Sequence, residues 1–196
     1  MKHLSFEISF TDFPPFLKYW AARYPNGYDE KYYNRHFGKV DLNREDVLID
    51  LFTWKNGGKI ARRKVDSIRA DYLKCWVEDT DLESRYLNPN KSGGPIWNIF
   101  YLHCRFPDQY PIYDQHTHRA MIYIQKHTIC DERDDLNKKP RSFVYRSYRE
   151  DYRPFVEVIR HKTGQKLRTI DRALFAYGQF LKRARPYWCP KSYSAS

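Results

Sequence analysis

Apolar residues recur along this chain at helical spacing in at least five places, and almost nowhere at the two-residue spacing of a half-buried strand. Val47, Leu48, Leu51, Phe52 and Trp54 form one stripe, in a helix that Asn43 starts, with Asp46 three residues on, and that Gly57-Gly58 ends. Lys59 to Val77 reads as a longer helix with Val65, Ile68, Tyr72 and Trp76 inward and Lys59, Arg62, Arg63 and Lys64 leading it. Pro14-Pro15 opens an N-terminal helix carrying Phe16, Tyr19, Trp20 and Arg23. Near the other end, Pro154 starts a helix carrying Phe155, Val158 and Ile159, closed by Gly164. Thr169 caps the last helix, whose stripe is Ile170, Leu174, Tyr177 and Leu181, and whose Gly178 admits a close neighbour. Residues 4–10 alternate as a short extended piece would, while the polar run Asp131 to Arg153 reads as a loop. The pattern predicts a mainly α chain.

The middle of the chain, Pro89 to Met121, is punctuated most sharply. Gly93-Gly94 reaches backbone angles closed to other residues, and Pro95 suits the first position of a helix, where its missing N–H costs nothing. Ile96, Ile99, Phe100 and His103 then share one face, and Pro107 and Pro111 end that helix. Asp114 stands where a side-chain acceptor caps the next helix, with His118, Met121 and Ile122 inward.

Charge narrows the partner. The chain has 35 Lys+Arg against 24 Asp+Glu, a net +11, and nucleic acid is the usual partner of such a balance. Aromatics reach 17% of residues, more than a core of this size needs, which leaves rings for stacking on bases. Cys75, Cys104, Cys130 and Cys189 are scattered with no C-x-x-C, so they read as free thiols in a reducing compartment and not as a zinc or iron–sulfur site. The start, MKHLSFEISF, lacks the apolar run of a signal peptide and no segment approaches a membrane span, so a cytoplasmic chain without a membrane partner is expected. His116 and His118 point about 200° apart on a helix and do not share a metal ion easily. No phosphate-binding loop or nucleophile elbow is present, and neither metal nor cofactor is expected.

The layout of residues 88–122 resembles the helix-hairpin-helix DNA glycosylase superfamily. In that family a glycine hairpin donates backbone amides to a DNA phosphate, and about twenty residues on a proline-hydrophobic-aspartate segment places the catalytic carboxylate at a helix start. Gly94 to Asp114 is a step of 20, and Pro111-Ile112-Tyr113-Asp114 stands at the second motif. The family's Leu-Pro-Gly-Val-Gly turn is replaced by Asn90-Lys91-Ser92-Gly93-Gly94. The lysine that bifunctional members carry in the hairpin helix is absent, that stretch reading Pro95, Ile96, Trp97. The resemblance implies a two-lobed helical fold with a cleft, the hairpin and the aspartate at its mouth: one lobe from about 42–128, the other from about 1–41 plus 129–196, within a single domain. It implies DNA contacts from Lys91, Ser92, Gly93, Gly94 and Arg119, and a base pocket drawn from Trp54, Lys55, Trp97, Tyr101, Gln115, His116 and Tyr177. For Trp54-Lys55 a core tryptophan beside a solvated lysine stays open, as does packing for Trp97 and Tyr101.

The chemistry follows from the carboxylate itself. Breaking a base–sugar bond builds positive charge on the deoxyribose, which one fixed carboxylate stabilises while taking a proton from attacking water. A helix N-terminus favours the ionised form. With no lysine amine on the hairpin helix, a Schiff-base lyase step is not supported. With the resemblance, the expected activity is a monofunctional DNA glycosylase acting on a flipped damaged or modified base. The resemblance extends to small bacterial proteins of the glycosylase fold that act in phage defence, one of them on glucosylated hydroxymethylcytosine, and so implies a role of that kind. The alternatives are a non-catalytic hairpin DNA-binding module and a metal-dependent nuclease. A monomer is the expected state.

Overall fold

The computed structural model describes residues 12–25, 30–38, 42–73, 81–126 and 135–188, with side chains through 184. Among the described residues the chain is mainly helical and holds no strand. The extended piece at 4–10, the Trp76 end of the second long helix, and Cys75, Cys130 and Cys189 lie outside them. No described helix is long and apolar enough to cross a membrane.

The helices are α1 (Phe13–Ala21), α2 (Glu30–His36), α3 (Glu45–Asn56), α4 (Arg62–Tyr72), α5 (Leu82–Tyr86), α6 (Pro95–Arg105), α7 (Gln115–Lys126), α8 (Arg141–Arg146), α9 (Arg153–Thr163) and α10 (Leu167–Trp188), with a 3-10 turn at Leu136–Lys138 and a π-helical stretch at Ser147–Tyr152. They fall into two compact units, one of residues 1–24, 113–139 and 154–196, the other of 25–112 and 140–153. The division crosses the chain at 112/113, inside the lobe expected over 42–128, so the hairpin belongs to one unit and Asp114 to the other.

In the first unit α10 is the central element, with α1 and α7 packed along it. Its stripe of Ile170, Leu174, Tyr177 and Leu181 is buried as the spacing predicts. Gly178 lies against the first turn of α7: a Cβ there would fall 2.6 Å from the carbonyl carbon of His116 and nearer still to its oxygen. On α1 the buried residues are Phe13, Leu17 and Ala21, Phe16 and Trp20 are half-buried, and Tyr19 lies exposed under the Arg23 guanidinium. On α9, Val156 and Ile159 point inward while Val158 is exposed. On α7, Met121 and His118 are buried but Ile122 is only half-buried.

The second unit has an aromatic core. Phe52 stacks on Trp97 at 5.0 Å, Tyr72 lies 5.1 Å from Tyr101, and Tyr101 lies 4.6 Å from Tyr86. Most of the ring surplus noted in the sequence is spent here, each ring removing a large apolar area from water. Helix α3 starts two residues later than expected: Asn43 does not cap it, and Arg44 at the cap position pairs with Asp46 at 2.6 Å. Gly57, with φ +70°, closes it as predicted. Helix α4 starts at Arg62, not Lys59.

The largest correction is at 131–153. From Arg141 that segment is helical through Tyr152, and Val144, Tyr145, Tyr148 and Tyr152 are buried. Tyrosine reads as polar in a composition window, yet its ring is buried here and its hydroxyl finds a partner: Tyr148 donates to the Pro111 carbonyl at 3.3 Å and Tyr152 to that of Ile112 at 3.1 Å.

Candidate nucleic-acid interface

The hairpin forms as its residues dictate. Lys91 N donates to Asn88 O at 3.1 Å, and Asn90 N to the Asn88 side chain at 2.8 Å, starting a tight turn. Gly93 sits at φ +81°, a left-handed angle that costs other residues, and a Cβ there would lie 2.7 Å from the Tyr72 hydroxyl. Gly94 is extended and occupies the cap position of α6, its carbonyl accepting the N–H groups of Trp97 and Asn98 at 2.9 Å each. Pro95 follows at the helix start. Among the described residues no acceptor takes the N–H of Gly93 or Gly94.

A polar scaffold underlies the turn. Asn98, with no exposed surface, accepts from Tyr72 Oη at 2.5 Å and donates to Tyr145 Oη at 2.7 Å and to the Ser92 carbonyl at 3.1 Å. Arg141 of α8 reaches the carbonyls of Pro89 at 3.0 Å, Gly93 at 2.5 Å and Lys91. Neither residue was singled out by sequence reasoning. Asn98 left one trace, an amide inside an otherwise apolar helix, while Arg141 left none in a run of basic residues.

Lys91 and Ser92, expected to face DNA, instead meet Asp71 of α4. The Ser92 hydroxyl donates to its carboxylate, and Lys91 Nζ lies 3.8 Å from the same oxygen. Around the turn is an open hollow of about 470 Å³ lined by Lys64, Asp71, Gly93, Gly94, Trp97 and Arg141 among others. Lys64 Nζ stands 5.3 Å from the centre of the Trp97 ring. Lys59, Arg62, Arg63 and Lys64 are all exposed.

Asp114 caps α7 as predicted. Its Oδ1 accepts the N–H of His116 at 2.8 Å and of Thr117 at 3.1 Å, and its own N–H donates to Thr117 Oγ1 at 2.9 Å. That reciprocal box pins the carboxylate at the positive end of the helix. The residue is 8% exposed. Arg119, five residues on, donates to the Gly178 carbonyl at 3.2 Å and lies 3.3 Å from His116 Nδ1, so its guanidinium is engaged within its own unit.

The expected pocket residues divide between the units. In the unit holding the hairpin, Trp97 borders the hollow, whereas Tyr101 is buried in the aromatic core. Trp54 packs against Phe37 at 5.0 Å and Phe100 at 6.4 Å, and Lys55 Nζ lies 6.0 Å from the Phe100 ring. In the unit holding Asp114, the His116 ring rests edge-on to Phe175 at 4.9 Å and Gln115 is half-buried at the helix start. Tyr177 is buried among Phe16 and Trp20, each 5.0 Å away, and burial pushes its hydroxyl pKa well up. His118 turns inward to Tyr113 Oη at 2.9 Å, away from His116. Among the described residues no group of three or more His, Cys, Asp or Glu is placed to hold a metal ion.

Fold and site together define a mainly helical chain of two compact units, one with a glycine hairpin over a basic hollow, the other with a carboxylate fixed at a helix start. No family model, curated protein or solved structure matches it.

Proposed function

We propose that this protein is a monofunctional DNA glycosylase. It binds DNA, draws one damaged or modified nucleotide out of the stack and hydrolyses its N-glycosidic bond, leaving an abasic site. Extrusion costs a few kcal/mol and is least costly for a base that already stacks or pairs poorly. The observation that carries the reading is the pinning of Asp114, whose Oδ1 takes two main-chain N–H groups. A carboxylate held this way is preorganised to stabilise an oxocarbenium-like deoxyribose and to accept the proton of attacking water. The unspent amides of Gly93 and Gly94 and the exposed α4 cations support a phosphate-binding role for the hairpin. The two-lobed arrangement with a cleft and a role against glucosylated phage DNA belong to the same proposal. The protein needs neither lyase lysine nor metal for this chemistry.

A second reading, a hairpin DNA-binding module without catalysis, is favoured by one observation: Asp114 is only 8% exposed and already caps a helix. One experiment separates the two. Asp114→Asn keeps the side-chain acceptor and so the cap, since asparagine serves that position as well as aspartate. DNA carrying damaged bases, or glucosylated hydroxymethylcytosine, is incubated with each protein and then treated with alkali. We expect strand breaks from the parent and a loss of about a hundredfold or more in the variant. Absence of breaks on every substrate, or full activity in Asp114→Asn, refutes the glycosylase.

A further inference from the structure

The cationic side chain of the hairpin is turned into the protein. Lys91 Nζ lies 3.0 Å from Ser92 Oγ, 3.8 Å from Asp71 Oδ1 and 5.5 Å from the centre of the Tyr86 ring. The Lys91 and Asp71 side chains are 15% and 12% exposed, so the pair is largely shielded from the water and salt that weaken surface ion pairs. Ser92 donates its hydroxyl to Asp71 as well, and Asp71 Oδ2 lies 3.2 Å from where a side chain on Gly93 would begin. The carboxylate therefore sits against the inner side of the turn. Arg141, bonded to the carbonyls of Pro89, Lys91 and Gly93, adds a second tie from α8.

A carboxylate and a phosphate compete for the same donors, and two anions repel at the distances involved. On the DNA reading above, we infer that Asp71 is a specificity-determining residue of the hairpin: an internal anion that occupies Lys91 and Ser92, so that a nucleic-acid phosphate on this turn meets main-chain N–H groups and not the lysine. Backbone amides carry no net charge and displace no condensed counterion, whereas each lysine–phosphate contact does. Asp71 thus lowers the sequence-independent, salt-sensitive part of the affinity. The hairpin selects a phosphate by shape, because the amides of a turn accept an oxygen only in the geometry the turn presents.

Four proteins test this: the parent, Asp71→Asn, Lys91→Met and the double variant, each titrated with a duplex oligonucleotide across a salt series. Asp71→Asn frees the ammonium, and the slope of log affinity against log salt steepens by about 0.9, one more neutralised phosphate. At low salt that variant binds about 3- to 10-fold tighter, a gain of the size one added phosphate contact brings. The gain disappears in the double variant, and Lys91→Met alone leaves the slope unchanged. A flatter slope for Lys91→Met in the parent background, or no tightening in Asp71→Asn, overturns the inference.

Since Asp71→Asn also perturbs the turn, urea unfolding of the same four proteins runs alongside. Coupling between the two positions of about 3- to 10-fold in the unfolding constant supports the pairing, and additive effects overturn it. Failure of all four proteins to bind DNA overturns the DNA reading and the role given to Asp71 with it. The unfolding cycle reports the pair independently of that outcome.

Discussion

Replacing Gly178 by alanine opposes two effects of different sign. In the interior of a helix, glycine is about 1 kcal/mol worse than alanine, so a site with room for a methyl group gains that amount. Here the added Cβ lies 2.6 Å from the His116 carbonyl carbon, closer to its oxygen and 3.0 Å from its Cα. Carbon atoms rest about 3.5–4.0 Å apart, so α7 and α10 must part by about 1 Å. All three atoms belong to the main chain, and no rotamer change relieves them. Overpacking of this kind costs about 1–3 kcal/mol and more where backbone must move. The bond from Arg119 to the Gly178 carbonyl, 3.2 Å long, is disturbed at the same time, for about 1 kcal/mol. The balance is a loss of about 3 kcal/mol. Thermal unfolding followed by circular dichroism then shows a midpoint lower by about 6–12 °C. His116 also donates its N–H to Asp114, so the shift loosens the helix cap and lowers any activity that depends on it. A midpoint unchanged or raised refutes the close approach of the two helices.

Two further predictions concern the unit that holds the hairpin. Asn98→Leu keeps the branched shape but removes three hydrogen bonds, those to the Tyr72 and Tyr145 hydroxyls and to the Ser92 carbonyl. Each lost hydrogen bond costs about 1 kcal/mol, so urea unfolding should show a loss of about 3 kcal/mol, and a loss below about 1 kcal/mol contradicts the network. Burial, then the Glu83 carboxylate that takes its hydrogen bond, push the Tyr110 hydroxyl up to about 12. The unfolded chain gives up this proton near the ordinary tyrosine value of about 10. Tyr110 therefore contributes stability below pH 10 that declines as pH rises from about 10 to about 12. Tyr110→Phe should remove that part of the alkaline decline, and an identical pH profile in the variant rejects the assignment.

Several features were legible because they are local. A double glycine before proline predicts a turn into a helix, an aspartate before an amphipathic run predicts a cap, and Gly57 and Gly164 close their helices at left-handed angles. The buried face of α1, Phe13, Leu17 and Ala21, was not legible, since a stretch rich in rings offers more than one apolar face. The helix over Arg141–Tyr152 was hidden by its charged residues, which mask the buried spacing of Val144, Tyr148 and Tyr152. For Lys91 and Ser92 the sequence shows a donor-rich turn and says nothing about which anion answers it.

The amino-acid sequence alone determined the helical class, the hairpin entering α6 and the cap at Asp114. Each depends on residues within a turn or two of one another, where backbone sterics and one or two hydrogen bonds decide the conformation. Tertiary structure alone decided that Asp71 answers Ser92 across 21 residues, that Arg141 holds the Gly93 carbonyl across 48, and that Tyr101 lines a core and not a pocket. Such pairs leave no periodic trace, because they form only when packing brings distant segments together and the cost of burying a polar group selects its partner.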